Sequence, residues 1–262
     1  MTELSTPISG SYDRLGPPAG ARMVIAGGCG GIGRALTAAA LELDLRVTVL
    51  DLARSIDAFP PTDGVEAIAV DATDDTSVGA AFAQLGERHG AIDSLINLVG
   101  FRNQLARFDK IPMDEWDHVL AGNLRSAVLL CREATPLLLA GGGGTIVNVA
   151  SAMATWAAPQ HAPYAAAKAA VLTFTRSVAI ELAPLVRANA VAPSAVDTDF
   201  HRGGTGRDTI EDSANDPNIF AAGVPMGRIA SADDIVGPTL FFAGPHSQFV
   251  TGQTLLVNGG KW

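Results

Sequence analysis

The sequence is short of charge. Asp, Glu, Lys and Arg make up 17% of its 262 residues, against about 25% in an average soluble domain. What charge there is leans acidic, with 18 basic and 27 acidic residues and a net charge of −9. A chain of that sign repels a phosphate backbone, so no nucleic acid is expected as a partner. Cysteine is scarce as well, with Cys29 and Cys131 the two present. They make no disulfide framework and neither stands at metal-ligand spacing, so reduced thiols, a cytoplasmic location and no metal are expected. Apolar runs stay below the ~18 residues of a membrane span, so no membrane is expected either. Residues 1–20 lack the basic and apolar regions of a signal peptide and read as a flexible leader.

Hydrophobic residues, by contrast, make up 48% of the chain. That excludes disorder and suits a heavily buried sheet or an oligomer interface. From residue 22 onward, short apolar bursts alternate with helical patterns. Strands are predicted at 23–26, 46–50, 66–70, 94–96, 145–149, 187–191 and 254–257. Helices are predicted at 32–43, 76–89, 113–139, 163–182 and 233–242. Such alternation predicts an α/β fold, a doubly wound parallel sheet with helices on both faces. No repeat or linker divides the chain, so one domain over 21–262 is expected. The polar, Gly-rich stretch 199–223 breaks the rhythm and is expected to form a substrate lid.

Between the first strand and the first helix runs Gly27-Gly28-Cys29-Gly30-Gly31-Ile32-Gly33. Gly28, Gly30 and Gly33 fit one phosphate-binding spacing, and Gly27, Gly31 and Gly33 fit another. In either register, glycines let backbone N–H groups approach a pyrophosphate at a helix N-terminus. Asp51 ends the second strand, 18 residues after Gly33. A carboxylate there accepts ribose hydroxyls and repels a 2′-phosphate, which favours NAD over NADP. Leu52 follows it, and Arg54 reads as a solvated residue that a 2′-phosphate could attract. Asp71 and Ala72 end the third strand, with Asp71 placed either to meet an adenine or to cap a helix from Thr73.

Tyr164 and Lys168 stand four apart on the long predicted helix and share one face. Ser151 precedes Tyr164 by 13 residues, and Asn123 sits inside a helical stretch where Asn is mildly unfavourable. With these four, the glycine string, Asn97…Gly100, Asn189-x-Val191-x-Pro193, Thr198 and Asn258-Gly259-Gly260, the sequence resembles the short-chain dehydrogenase/reductase family from Arg22 to Trp262. Ala26, Leu98-Val99, Ser194 and Asn258 depart from its usual pattern.

The resemblance implies a Rossmann-like, seven-stranded sheet and a nicotinamide cofactor. It implies that Tyr164 exchanges a proton with the substrate oxygen, that Ser151 holds that oxygen, and that Lys168 lowers the Tyr164 pKa and binds ribose. Asn123 would hold a water linking Lys168 to solvent. Gly27, Gly30, Gly31, Ile32, Gly33, Asp51, Leu52, Asp71, Ala72, Asn97, Gly100, Tyr164, Lys168, Pro193, Val196 and Thr198 would meet the cofactor. Substrate contacts are expected from Ser151, Met153, Trp156, Gln160, Tyr164, Phe101 and Phe200. Arg102 and His161 read as surface residues.

The expected activity is NAD(H)-dependent interconversion of a small secondary alcohol and its ketone. An NADPH-dependent 3-oxoacyl-thioester reductase is the second reading, and a non-catalytic dinucleotide sensor or scaffold the third. The Ala-rich Tyr164 helix suits close helix approach in a homo-oligomer. The resemblance makes that a homotetramer, with Trp262 buried in it.

Overall fold

The computed structural model describes residues 15–204 and 221–261. Most of the expected leader, the middle of the expected lid and Trp262 lie outside the described residues.

The alternating pattern resolves into β1 (Arg22–Ala26), α1 (Gly31–Glu42), β2 (Arg46–Asp51), α2 (Ala53–Ala58), β3 (Glu66–Ala69), α3 (Asp75–His89) and β4 (Ser94–Asn97). There follow α4 (Met113–Leu120), α5 (Ser126–Ala140), β5 (Gly144–Val149), α6 (Ala162–Leu182), β6 (Val186–Pro193), α7 (Asp233–Ala243) and β7 (Thr254–Val257). Among the described residues, seven strands form one parallel sheet in the order β3-β2-β1-β4-β5-β6-β7.

Side chains alternate across the sheet and feed two cores. Val24 and Ala26 join Leu50, Phe82, Leu95, Leu130 and Ile146. These lie on the side of α3 and α5. Met23 and Ile25 point the other way, onto Leu36, Val49, Ile96, Val147, Ile235 and Phe242. These lie on the side of α1 and α7. Each fully buried Leu or Ile stabilises the fold by roughly 1.5–3 kcal/mol. Arg187 of β6 reaches across to α7, donating to the carbonyls of Phe242 at 3.1 Å and Gly244 at 3.0 Å and to Ser247 Oγ at 2.8 Å. A guanidinium there satisfies carbonyls that the helix end leaves open.

The strand order reverses at β1 and β4, which pair from Met23↔Ser94 to Ala26↔Asn97. Connections leave these two strands in opposite directions, so a crevice opens beyond their carboxyl ends. It is the position that matters for function.

Two elements differ from expectation. Helix α2 escapes an apolar-period reading because its six residues bury only Ser55. The single helix predicted over 113–139 is broken by a π-turn at Ala121–Arg125. No described helix is long and apolar enough to cross a membrane.

Candidate active site

Tight packing at the glycines shapes the crevice floor. Gly27 is left-handed, with φ +81°. A Cβ on Gly33 would lie 2.5 Å from both Gly27 O and Gly28 Cα, and one on Gly31 would lie 2.5 Å from Thr198 Cγ2. Gly27, Gly30, Gly31, Ile32 and Gly33 line the crevice, whereas a Cβ on Gly28 would meet Val49 instead. The structure therefore uses the register through Gly27, Gly31 and Gly33. Helix α1 has Gly30 as its N-cap and no side-chain cap, so its first turn is open to an anionic ligand.

Asp51 lines the crevice at the end of β2. Its carboxylate accepts from the backbone N–H of Cys29 at 2.9 Å and of Leu52 at 2.8 Å. Leu52, Asp71, Ala72 and Thr73 continue the lining, while Arg54 is exposed on α2 and does not reach it. Asp71 accepts from Thr73 N and Oγ1 at 2.9 and 2.7 Å. It does not cap α3; Asp74 does, accepting from Thr76 N and Ser77 N.

Asn97 stands behind the crevice rather than in it. Its buried side chain donates to Asn148 Oδ1 at 3.1 Å and accepts from Val99 N at 3.0 Å. It thus holds the Leu98-Val99-Gly100 turn, whose residues do line the crevice.

The crevice runs into a second cavity of about 400 Å³; Ile32, Leu98, Gly100, Val149, Thr198 and Phe200 line both. Ser151, Tyr164 and Lys168 meet in this second space. The Ser151 hydroxyl accepts from Met153 N at 3.2 Å and lies close enough to the Tyr164 phenol to favour its ionised form. Lys168 Nζ lies 5.9 Å from the Tyr164 ring centre. It donates to Val149 O at 3.0 Å. Asn123 comes from the π-turn and donates to Phe101 O and Val119 O, both at 2.9 Å. Its buried Oδ1 has no hydrogen-bond partner among the described residues. That oxygen and Lys168 Nζ crowd the same point, since both would collide with a Cβ on Gly100.

Burial governs the titrations. It pushes the Tyr164 phenol up to about 12, against the pull of Ser151. It brings the Lys168 ammonium down to about 8. Lys168 was expected to lower the Tyr164 pKa together with a positive nicotinamide; in the protein alone, desolvation of the phenol dominates and the Lys168 ammonium donates to Val149 O.

Met153, Trp156 and Phe200 line the second cavity as expected, with Pro193 and Val196. Phe200 comes from the first turn of the expected lid, its ring centre 5.8 Å from that of Tyr164. Two expected substrate contacts are not in this cavity. Gln160 is exposed, with φ +68°, and its carbonyl accepts from Asn103 Nδ2 at 2.9 Å. Phe101 lines the nucleotide-side crevice instead and packs with Val119 and Tyr164. Arg102 is buried, not solvated, and donates to His201 O at 2.8 Å. His161, read as a lid or surface residue, and Ser194, expected near the nicotinamide, also line the cavity, as do His201 and Lys261, for which no role was expected. Among the described residues, no group of three His, Cys, Asp or Glu side chains could hold a metal.

Comparison with known proteins agrees with this geometry. The family model described as "Enoyl-(Acyl carrier protein) reductase" matches residues 27–261. Sorbitol dehydrogenase of Cereibacter sphaeroides is 32% identical, with 93% of this chain and 98% of that protein covered. The 2-(R)-hydroxypropyl-CoM dehydrogenase of Xanthobacter autotrophicus is 31% identical over 90% of this chain and 96% of its own. A 3-oxoacyl-[acyl-carrier-protein] reductase of Vibrio harveyi is 31% identical over 91% and 96%. In structure, the aldohexose dehydrogenase of Thermoplasma acidophilum superposes with a TM-score of 0.83 at 26% identity, covering 92% of this chain and 94% of that one. The chain belongs to the short-chain dehydrogenase/reductase family. It is an oxidoreductase of alcohol groups, in a family that binds NAD or NADP.

Proposed function

We propose that this protein interconverts a secondary alcohol and its ketone with NAD(H), using Tyr164 as general acid and base. The observation that carries the reading is that Ser151, Tyr164 and Lys168 line one cavity where it meets the crevice, with Ser151 and Tyr164 both buried. In this reading the two hydroxyls hold a single substrate oxygen: Tyr164 Oη exchanges a proton with it, and Ser151 donates to it as charge develops. The residues present fit the dinucleotide. The cradle at Gly31 and Gly33 has no room for a Cβ, and Asp51 stands ready at the ribose end. Gly27, Gly30, Ile32, Leu52, Asp71, Ala72, Gly100, Pro193, Val196 and Thr198 supply the remaining walls, with Asn97 acting from behind them.

When bound, the nicotinamide would supply the hydride donor or acceptor and, oxidised, a positive charge. That charge opposes the burial that raises the phenol. Lys168 is positioned to hold ribose hydroxyls, and the orphaned Asn123 Oδ1 to hold a water that passes protons toward Lys168. NAD is favoured over NADP because the fixed Asp51 carboxylate repels a 2′-phosphate and the exposed Arg54 does not line the crevice. The second reading, an NADPH-dependent 3-oxoacyl-thioester reductase, is favoured by the similarity to the Vibrio harveyi reductase. Absorbance assays of an alcohol and ketone panel with NADH and NADPH separate the two. Turnover that is faster with NADPH and confined to 3-oxoacyl thioesters overturns the first.

The further properties follow the same reading. The chain is proposed as one domain. A homotetramer is supported by exposed apolar Phe249, Ile180 and Leu255 around the C-terminal strand. Cys29 and Cys131, both buried and unpaired with each other, suit a cytoplasmic protein.

A further inference from the structure

The larger cavity has a distinctive polar inventory. Its walls are mostly apolar, from Met153, Trp156, Ala158, Phe200, Val224 and Pro193. Among the described residues, no Asp or Glu lines it, although the chain carries 27 of them. Besides Lys168, its cationic or titratable members beyond Tyr164 are Lys261, His161 and His201. His161 donates Nδ1–H to Pro159 O at 2.7 Å, which leaves Nε2 for the cavity. Trp156 adds a buried indole N–H with no acceptor among the described residues. Among the described residues, the cavity's formal positive charge comes from Lys168 and Lys261, with no carboxylate in the lining to balance it.

Lys261 is delivered there by a built turn. Asn258 Nδ2 donates to Lys261 O at 2.6 Å, and Asn258 Oδ1 accepts from Gly260 N at 3.1 Å. Gly259 and Gly260 are left-handed, with φ +59° and +84°, and sit against Val224, Met226 and Pro225. The Lys261 ammonium ends beside Gly223, and no carboxylate among the described residues pairs with it.

We propose that the substrate is a hydroxy acid, and its oxo acid in the reverse direction, whose carboxylate rests on Lys261 while its secondary alcohol meets Ser151 and Tyr164. An apolar hydrocarbon body fills the wall between them. Oxidation sends the carbinol hydrogen as hydride to the nicotinamide and the hydroxyl proton to Tyr164, and the carboxylate is unchanged. This substrate class rests on the reading of Tyr164 as acid and base. It departs from the polyol named in the Cereibacter sphaeroides relative.

The test compares 4-oxopentanoate, 5-oxohexanoate and 6-oxoheptanoate with their methyl esters in NADH-dependent reduction. With the best chain length, the wild-type acid should exceed its ester in kcat/KM by about tenfold or more, as a charge-assisted contact gives. Lys261→Met should bring that ratio close to one, and Lys261→Arg should retain most of it. Equal turnover of acid and ester by the wild type, or a preference that survives Lys261→Met, overturns the proposal while leaving the alcohol oxidoreductase intact. A separate readout needs no turnover: hexanoate titrated into the NAD-loaded enzyme should change Trp156 fluorescence. That response should weaken about tenfold in Lys261→Met. Absence of hexanoate binding in the wild type also overturns it. Failure to turn over any ketone, with hexanoate still held by Lys261, overturns the catalytic reading alone.

Discussion

Asp51 Oδ2 accepts the backbone N–H of Cys29 at 2.9 Å, tying the end of β2 to the glycine turn that follows β1. One carboxylate therefore fixes the loop, and in the proposed reading it also favours NAD over NADP. Asp51→Ala should weaken NADH binding by about 10–100-fold, the scale of a lost charged hydrogen bond. NADPH binding should fall less, because a repulsion disappears with the charge. Titration of both reduced cofactors by fluorescence measures the gap, and an unchanged ratio sinks this role for Asp51.

Tyr164→Phe removes one oxygen from a buried ring packed against Phe101, Val119 and Phe200. Turnover should drop by about 10²–10⁴-fold, as for loss of a general acid. Cofactor affinity should change little. Near-wild-type kcat in this variant would refute the proton-transfer assignment.

Burial holds Lys168 down to about 8 from its ordinary 10.5. Between those two values the unfolded chain binds the extra proton, so this group makes stability rise with pH. Below about 8 the buried ammonium opposes folding. Lys168→Met should therefore stabilise the cofactor-free protein at pH 7 by on the order of 1–3 kcal/mol. The gain should fade as the pH approaches 10. Cys29 and Cys131, both pushed up to about 12, act in the opposite sense above their ordinary 9. The quantity to read is thus the wild-type minus variant difference in urea unfolding, at pH 7 and again at 9.5. A difference that does not shrink with pH contradicts the burial argument.

Two glycine-to-alanine variants should move in opposite directions. At Gly33 the new methyl meets backbone at 2.5 Å, which nothing flexible can relieve. Gly33→Ala should lower the melting temperature and abolish cofactor binding. At Gly79, inside α3, nothing lies within 4 Å. Gly79→Ala should stabilise by about 0.5–1 kcal/mol. Calorimetry on the pair checks both signs.

The sheet and its helices were legible because burial on both faces leaves near-continuous apolar runs, as in Met23-Val24-Ile25-Ala26. The glycine turn, Asp51, Ser151, Tyr164 and Lys168 were legible because each chemistry needs a particular residue at a fixed distance along the chain. What stayed hidden depends on contacts far apart in sequence. Arg102 looks like any surface arginine until its partner, the carbonyl of His201, is known to lie 99 positions away. Lys261 reaches the cavity only through a turn whose packing against Val224 no local pattern announces. Gln160 is the opposite case, expected at the cavity from its place along the chain but exposed, with φ +68°.

The π-turn at Ala121–Arg125 carries one consequence beyond placing Asn123. Each residue along a helix swings the next by about 100°, and a π-turn slips one extra residue into that count. It lets a single run of chain present Val119 toward Tyr164 before the turn and Leu130 toward the sheet after it. Removing one residue from this stretch would return it to regular winding and take away the wide turn from which Asn123 reaches Phe101 O and Val119 O. A gene library scanning single-codon deletions should therefore find this quiet, buried helix as intolerant as the glycine cradle itself.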